Sequence, residues 1–123
     1  MLRSLLVLVS LLVAASPARA EDGLSGDWSV DLASEPGKVY TQPMQLELKD
    51  DGTVAGSFYN SAIEAGRWKF DRGRLCASFR TSDGTGPYHS AVCLVDDQAV
   101  GQTWAEHRDF LFNWNAARVA DAP

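Results

Sequence analysis

From Gly26 onward, apolar and polar residues alternate with a period of two, in short runs separated by turn residues about every 8 to 12 positions, the signature of an all-β sandwich or barrel. Trp28, Val30 and Leu32 share one phase, as do Met44, Leu46 and Leu48, then Val54, Gly56 and Phe58. Gly66, Trp68 and Phe70 follow, then Leu75, Ala77 and Phe79, then Tyr88, Ser90, Val92 and Leu94. Charged residues such as Glu47, Lys49, Arg67, Lys69, Arg74 and Arg80 occupy the opposite phase. A slip of one residue would expose every apolar set, so the register is strongly specified.

The punctuation between the runs is Asp50-Asp51-Gly52, Asn60-Ser61, Asp71-Arg72-Gly73, Ser82 to Gly86, Asp96-Asp97 and Glu106 to Asp109. Asp-Gly and Gly-rich pairs provide the positive φ angles of tight hairpins. The pattern predicts eight strands over 26–32, 43–50, 53–59, 63–70, 74–81, 88–95, 99–105 and 110–119. Only the connection from Ala33 to Tyr40 has room for a turn of helix. Short connections make consecutive strands antiparallel neighbours, and closure of this up-and-down meander into a barrel removes both free edges. A two-sheet sandwich needs longer crossovers than this chain offers.

The segment before the first strand reads differently. Arg3, an apolar stretch from Leu5 to Ala15 and the small-x-small triplet Ala18-Arg19-Ala20 have the form of a secretory signal peptide over 1–20. The apolar stretch is short for a membrane anchor. The expectation is an exported protein, periplasmic or secreted, with one domain over 21–123 and no membrane anchor. Loss of Arg3 and Arg19 takes the 11 basic residues to 9 against 16 acidic ones, a formal charge of −7. An acidic surface excludes nucleic acid as a natural partner, because phosphate backbones need clustered Lys and Arg.

Cys76 and Cys93 are the two cysteines, and an exporting chain favours a disulfide. The alternation supports this independently. With Ser82 to Gly86 at a hairpin tip, Ala77 faces Val92, Phe79 faces Ser90, and Cys76 falls opposite Cys93 on the outer face. No Cys-x-x-Cys is present to suggest redox chemistry. The two histidines, His89 and His107, do not complete a metal-ligand spacing, so no metal and no cofactor is expected.

The opening stretch "LSGDWSVDL" carries a further signal. Gly26-Asp27-Trp28 on the first strand of an eight-stranded meander resembles the calycin superfamily, the lipocalins and avidins. The resemblance implies that Trp28 closes one barrel end and that Arg118, in "FNWNAAR", packs across its indole. A guanidinium over an indole face is a favourable cation–π pair. The stretches "DGTVAGSFYNSAI" and "GQTWAEH" are more similar to avidins, but the polar groups of a biotin site are not matched: Val30 and Phe58 stand in the corresponding strands. Biotin is therefore not expected, and the fold does not by itself name a ligand.

No spacing suggests a Ser-His-Asp set, His107 reads as a solvated turn residue, and no enzyme activity is expected. The leading expectation is a binder of a small apolar or aromatic molecule at the mouth opposite Trp28. By alternation its walls would be Phe58, Trp68, Tyr88, Trp104 and Trp114, beside Phe79 and Phe112, with Ser90, Gln102 and Glu64 as polar exceptions. The alternative is an interaction module, an exported inhibitor or accessory subunit that docks on a protein partner through loops 34–42 and 82–88. Lumen volume separates the two: an open lumen favours a ligand, and one filled by rings favours the loops.

Overall fold

The computed structural model describes residues 23–119, so the expected signal peptide at 1–20 lies outside the described residues. Nine strands run in order: β1 (Gly26–Asp31), β2 (Thr41–Leu48), β3 (Thr53–Phe58), β4 (Ser61–Ala62), β5 (Glu64–Asp71), β6 (Arg74–Ser82), β7 (Pro87–Val95), β8 (Gln98–Ala105) and β9 (Phe110–Arg118). All pair antiparallel, and β9 returns to β1 while β2 pairs β3, so eight of them close a barrel. The architecture is compatible with a calycin-like fold. The two-residue β4 is an addition to the expected set, laid against the end of β3.

That addition marks where the wall changes course. β3 and β5 share only two facing pairs, Thr53 with Arg67 and Val54 with Gly66. Beyond them β5 bulges between Glu64 and Arg67, with Ala65 at φ 52°. The bulge turns Glu64 out to an exposed ion pair with Arg80 at 3.3 Å, so Glu64 is not an interior polar group. Gly56, at φ 136°, allows β2 to come close: a Cβ there would lie 1.9 Å from the Gln45 carbonyl oxygen. Here glycine is a steric requirement.

The core follows the alternation read from the sequence. Trp28, Val30, Met44, Leu46, Leu48, Val54, Phe58, Leu75, Ala77, Phe79 and Val92 are all buried. Phe70 is an exception, 56 % exposed because β5 has by then reached the end of the barrel. The connection between Ala33 and Tyr40, which has room for a turn of helix, holds a plain turn. A 3₁₀ turn lies instead at Glu106–Arg108, closed by Asp109 in the left-handed region at φ 51°.

One end is shut. Arg118 faces Trp28 across the β1–β9 pair, with its guanidinium 4.4 Å from the indole centroid. It also donates to the carbonyls of Ser25 at 3.1 Å and Gly23 at 2.5 Å, while Trp28 Nε1 donates to Leu24 at 2.8 Å. One cation and one indole thus tie the segment entering β1 to the last strand.

Cys76 and Cys93 are facing residues of β6 and β7, with Cα atoms 4.0 Å apart, and are joined by a disulfide. The bridge lies on the outer face and closes a loop with a sequence separation of 17. Reduction, or replacement of both cysteines by serine, is expected to cost about 3 kcal/mol on the chain-entropy estimate. Urea unfolding with and without reductant measures it. An unchanged midpoint would mean that the β6–β7 hairpin is already ordered in the unfolded chain.

Candidate functional site

The strands run so that the β1–β2, β3–β4, β6–β7 and β8–β9 connections gather at the end opposite Trp28. There the lumen opens into a cavity of about 470 Å³. Phe58, Phe112 and Trp114 line it, with Phe110, Tyr40, Tyr59 and Tyr88 around them and Leu32 from the end of β1. Phe58 and Trp114 meet with ring centroids 5.4 Å apart, and Phe58 meets Phe79 edge-on at 6.1 Å. Phe110 and Phe112, two residues apart on β9, lie parallel with centroids at 5.5 Å.

Trp114 owes its place to Gly101, the residue facing it on β8. A Cβ on Gly101 would come within 2.4 Å of the indole, so the ring lies directly on the β8 backbone. This contact also sets the phase of β8, where the inward residues are Ala99, Gly101, Thr103 and Ala105. The lumen beside Trp114 has room for small side chains only. Trp104 and Gln102, expected to point inward, therefore face out. Trp104 is 39 % exposed in an outer groove with Pro87, His89, Glu106 and His107, and Gln102 donates to Asn113 on the outer face of β9 at 2.8 Å.

Trp68 faces inward but belongs to the other end. β5 descends from the mouth at Glu64, and by Trp68 it has reached the β2–β3 turn, where Nε1 donates to the Lys49 carbonyl at 2.6 Å. Ser90 is buried beneath the cavity and shares a hydrogen bond with Thr103 at 2.8 Å. Thr103 Oγ1 in turn accepts from Trp114 Nε1 at 2.9 Å. These partners satisfy the polar atoms below the rings, as burial requires. Of the residues expected to bind a ligand, Phe58, Tyr88 and Trp114 meet at the mouth, whereas Ser90 lies under it and Trp68, Trp104 and Gln102 lie elsewhere.

The polar side of the mouth centres on Asp83, which the sequence reading passed over as a turn residue. Its Oδ1 accepts from the backbone N–H groups of Thr85 at 2.8 Å and Gly86 at 3.0 Å. Its Oδ2 accepts from the Tyr88 hydroxyl at 3.0 Å and from Arg108 Nε at 2.6 Å, and it meets His107 Nε2 at 3.2 Å. His107 is thus not a freely solvated turn residue. Its ring meets Tyr88 edge-on at 5.3 Å and covers Gly86, where a Cβ would come within 2.6 Å of it. The Ser82-Asp83-Gly84-Thr85-Gly86 tip was the available clue, since Asp two and three residues before free N–H groups is turn-forming chemistry.

Partial burial disfavours the charged form of Asp83, but the Thr85 N–H, the Arg108 guanidinium, the Gly86 N–H and His107 outweigh it. Its carboxyl is held well below the usual carboxylate range. Burial first, and then the bond to Asp83, push the Tyr88 hydroxyl up, and Asp83 holds Arg108 in its charged form. Asp83 thus fastens the β6–β7 tip to the β8–β9 connection through a carboxylate that stays ionised. Because its folded pKa is depressed, this contribution is complete above the unfolded value of about 3.9 and is lost as pH falls below it. Acid titration of stability should show that loss below about pH 4, and Asp83→Asn should reduce it. An identical acid limb in the variant would count against the assignment.

Across the mouth, Tyr59 and Asn60 form the β3–β4 turn at φ 51° and 63°. The turn sets Tyr59 against Tyr40, their hydroxyls hydrogen-bonded and their rings edge-on with centroids 6.4 Å apart. That bond, reinforced by burial, pushes the Tyr59 hydroxyl up. The pair joins the long β1–β2 connection to the rim, and Tyr40 is held further by the Leu32 N–H, which donates to its carbonyl at 2.8 Å. No protein-family model, curated protein or solved structure matches this chain.

Proposed function

We propose that the protein is an exported, non-catalytic barrel, periplasmic or secreted, that binds a small apolar or aromatic molecule in its mouth. The observation that carries this reading is the cavity of about 470 Å³ walled by Phe58, Phe112 and Trp114. Drug-sized ligands need about 300 Å³ or more, with mostly apolar walls and a few aimed polar groups. Export is supported by the Leu-rich leader and by a disulfide, which persists in oxidising compartments. The Trp28–Arg118 floor supports kinship with the calycins.

Two features favour ligand binding over catalysis or docking. Asp83 faces five protein donors, more than its roughly four lone-pair sites, so it has little capacity left to act as a base. The two loops suited to docking a protein also contribute Ser34, Tyr40, Ser82 and Tyr88 to the cavity wall. Native mass spectrometry of protein from its own source, with tryptophan fluorescence, tests the proposal. A co-purifying small molecule whose removal shifts the Trp114 emission is expected. A clean apo mass, with no saturable quenching by aromatic compounds, would return the barrel to the docking alternative.

A further inference from the structure

The polar groups of the mouth are not equivalent toward a ligand. Asp83 is enclosed by Thr85, Gly86, Tyr88, His107 and Arg108. Its contact with Arg108 uses Nε alone, so the four N–H groups of the two Nη atoms are not spent on that carboxylate. The neighbouring Tyr88 hydroxyl draws on part of this capacity. The arginine lines the same cavity as Phe58, Phe112 and Trp114, and its side chain is 51 % exposed, which sets it at the entrance. Donors at the entrance and rings below are complementary to a molecule with an apolar body and an anionic head.

We infer that the mouth selects small amphipathic acids, the apolar body lying against Phe58, Phe112 and Trp114 and the acid group accepting hydrogen bonds from Arg108 Nη. Carboxylate and sulfonate share this chemistry, since both present the coplanar oxygen pair that a guanidinium fork grips. The formal charge, −5 for the chain and −7 without residues 1–20, acts mostly from beyond contact range, and the nearest anion, Asp83, is enclosed by its own donors. Exposed charges farther off than a Debye length, about 8 Å at physiological salt, are screened. Lysine would keep the charge and lose the fork.

The inference rests on the proposed ligand cavity, and a matched pair of probes separates the two. Anilinonaphthalene sulfonate and the same anilinonaphthalene without the sulfonate share one aromatic body and differ in the anion. Titration by calorimetry into the folded protein should find one site, with the sulfonate bound about tenfold more tightly. Arg108→Gln should weaken the sulfonate about tenfold more than the neutral dye, and Arg108→Lys should restore part of the difference. Added salt should weaken the sulfonate selectively. Equal affinities of the wild type for both dyes would overturn the inference, and that comparison stands even where Arg108→Gln does not fold. An unchanged sulfonate affinity in folded Arg108→Gln would overturn it as well. Failure of both dyes to bind would overturn the underlying cavity reading instead.

Discussion

Replacing Trp28 by alanine should cost about 3–5 kcal/mol, the range for removing a large aromatic side chain from a core. The indole is fully buried, so the loss includes both its apolar area and the space it leaves. Two polar consequences add to this. The Leu24 carbonyl loses the donor at 2.8 Å, and Arg118 loses the ring beneath its guanidinium. Arg118→Ala alone should cost about 1 kcal/mol, because that side chain is exposed and its charge is screened. Chemical denaturation of both single variants and the double variant forms a cycle, with a coupling of about 0.5–1 kcal/mol expected from the stack. Strict additivity would mean that Arg118 acts only through the Ser25 and Gly23 carbonyls.

The fold was legible because a closed barrel in water writes its two faces into the sequence at every second residue. Where both faces differed sharply, as in β2 with Met44, Leu46 and Leu48 against Gln45 and Glu47, phase and strand agreed with the structure. The Cys76–Cys93 pairing was legible for the same reason, through the register of Ala77 with Val92 and Phe79 with Ser90. On β8 the signal was ambiguous: Ala99, Gly101, Thr103 and Ala105 are small, and Trp104 outweighs them by size. The true phase depends on Trp114 occupying the space in front of Gly101, a long-range contact that no local window contains.

The cavity of the candidate site was legible in place and only partly in its lining. Strand direction put the opening opposite Trp28, yet alternation alone does not say how far along a strand a side chain lies from the mouth. Trp68 therefore faces the lumen and still misses the cavity. Asp83, Arg108 and Thr103 were missed for another reason. The first two sit in turns, where alternation carries no information, and Thr103 matters through its bond to Trp114. Turn residues that converge in space are chemically visible only once the connections are placed side by side.

Trp114 is where stability and the proposed binding are coupled most directly. Trp114→Ala should cost about 3–5 kcal/mol and lower the melting temperature by about 12 °C or more. The ring is almost fully buried, lies on Gly101, contacts Phe58 and donates to Thr103. Trp114→Phe should recover most of that stability, losing chiefly the bond at 2.9 Å, worth about 1 kcal/mol. The pair of variants also separates two roles of the ring. As a wall of the cavity, Trp114 contributes contact area, so alanine should weaken an aromatic ligand by about tenfold or more while phenylalanine largely preserves it. If the ring were only core, both variants would bind as the wild type does under conditions where each remains folded. Calorimetric titration at a temperature well below the alanine variant's midpoint therefore distinguishes a wall from a filler. A wall is expected, because Trp114 borders the cavity on its upper side and donates to Thr103 of the Ser90–Thr103 pair on its lower side.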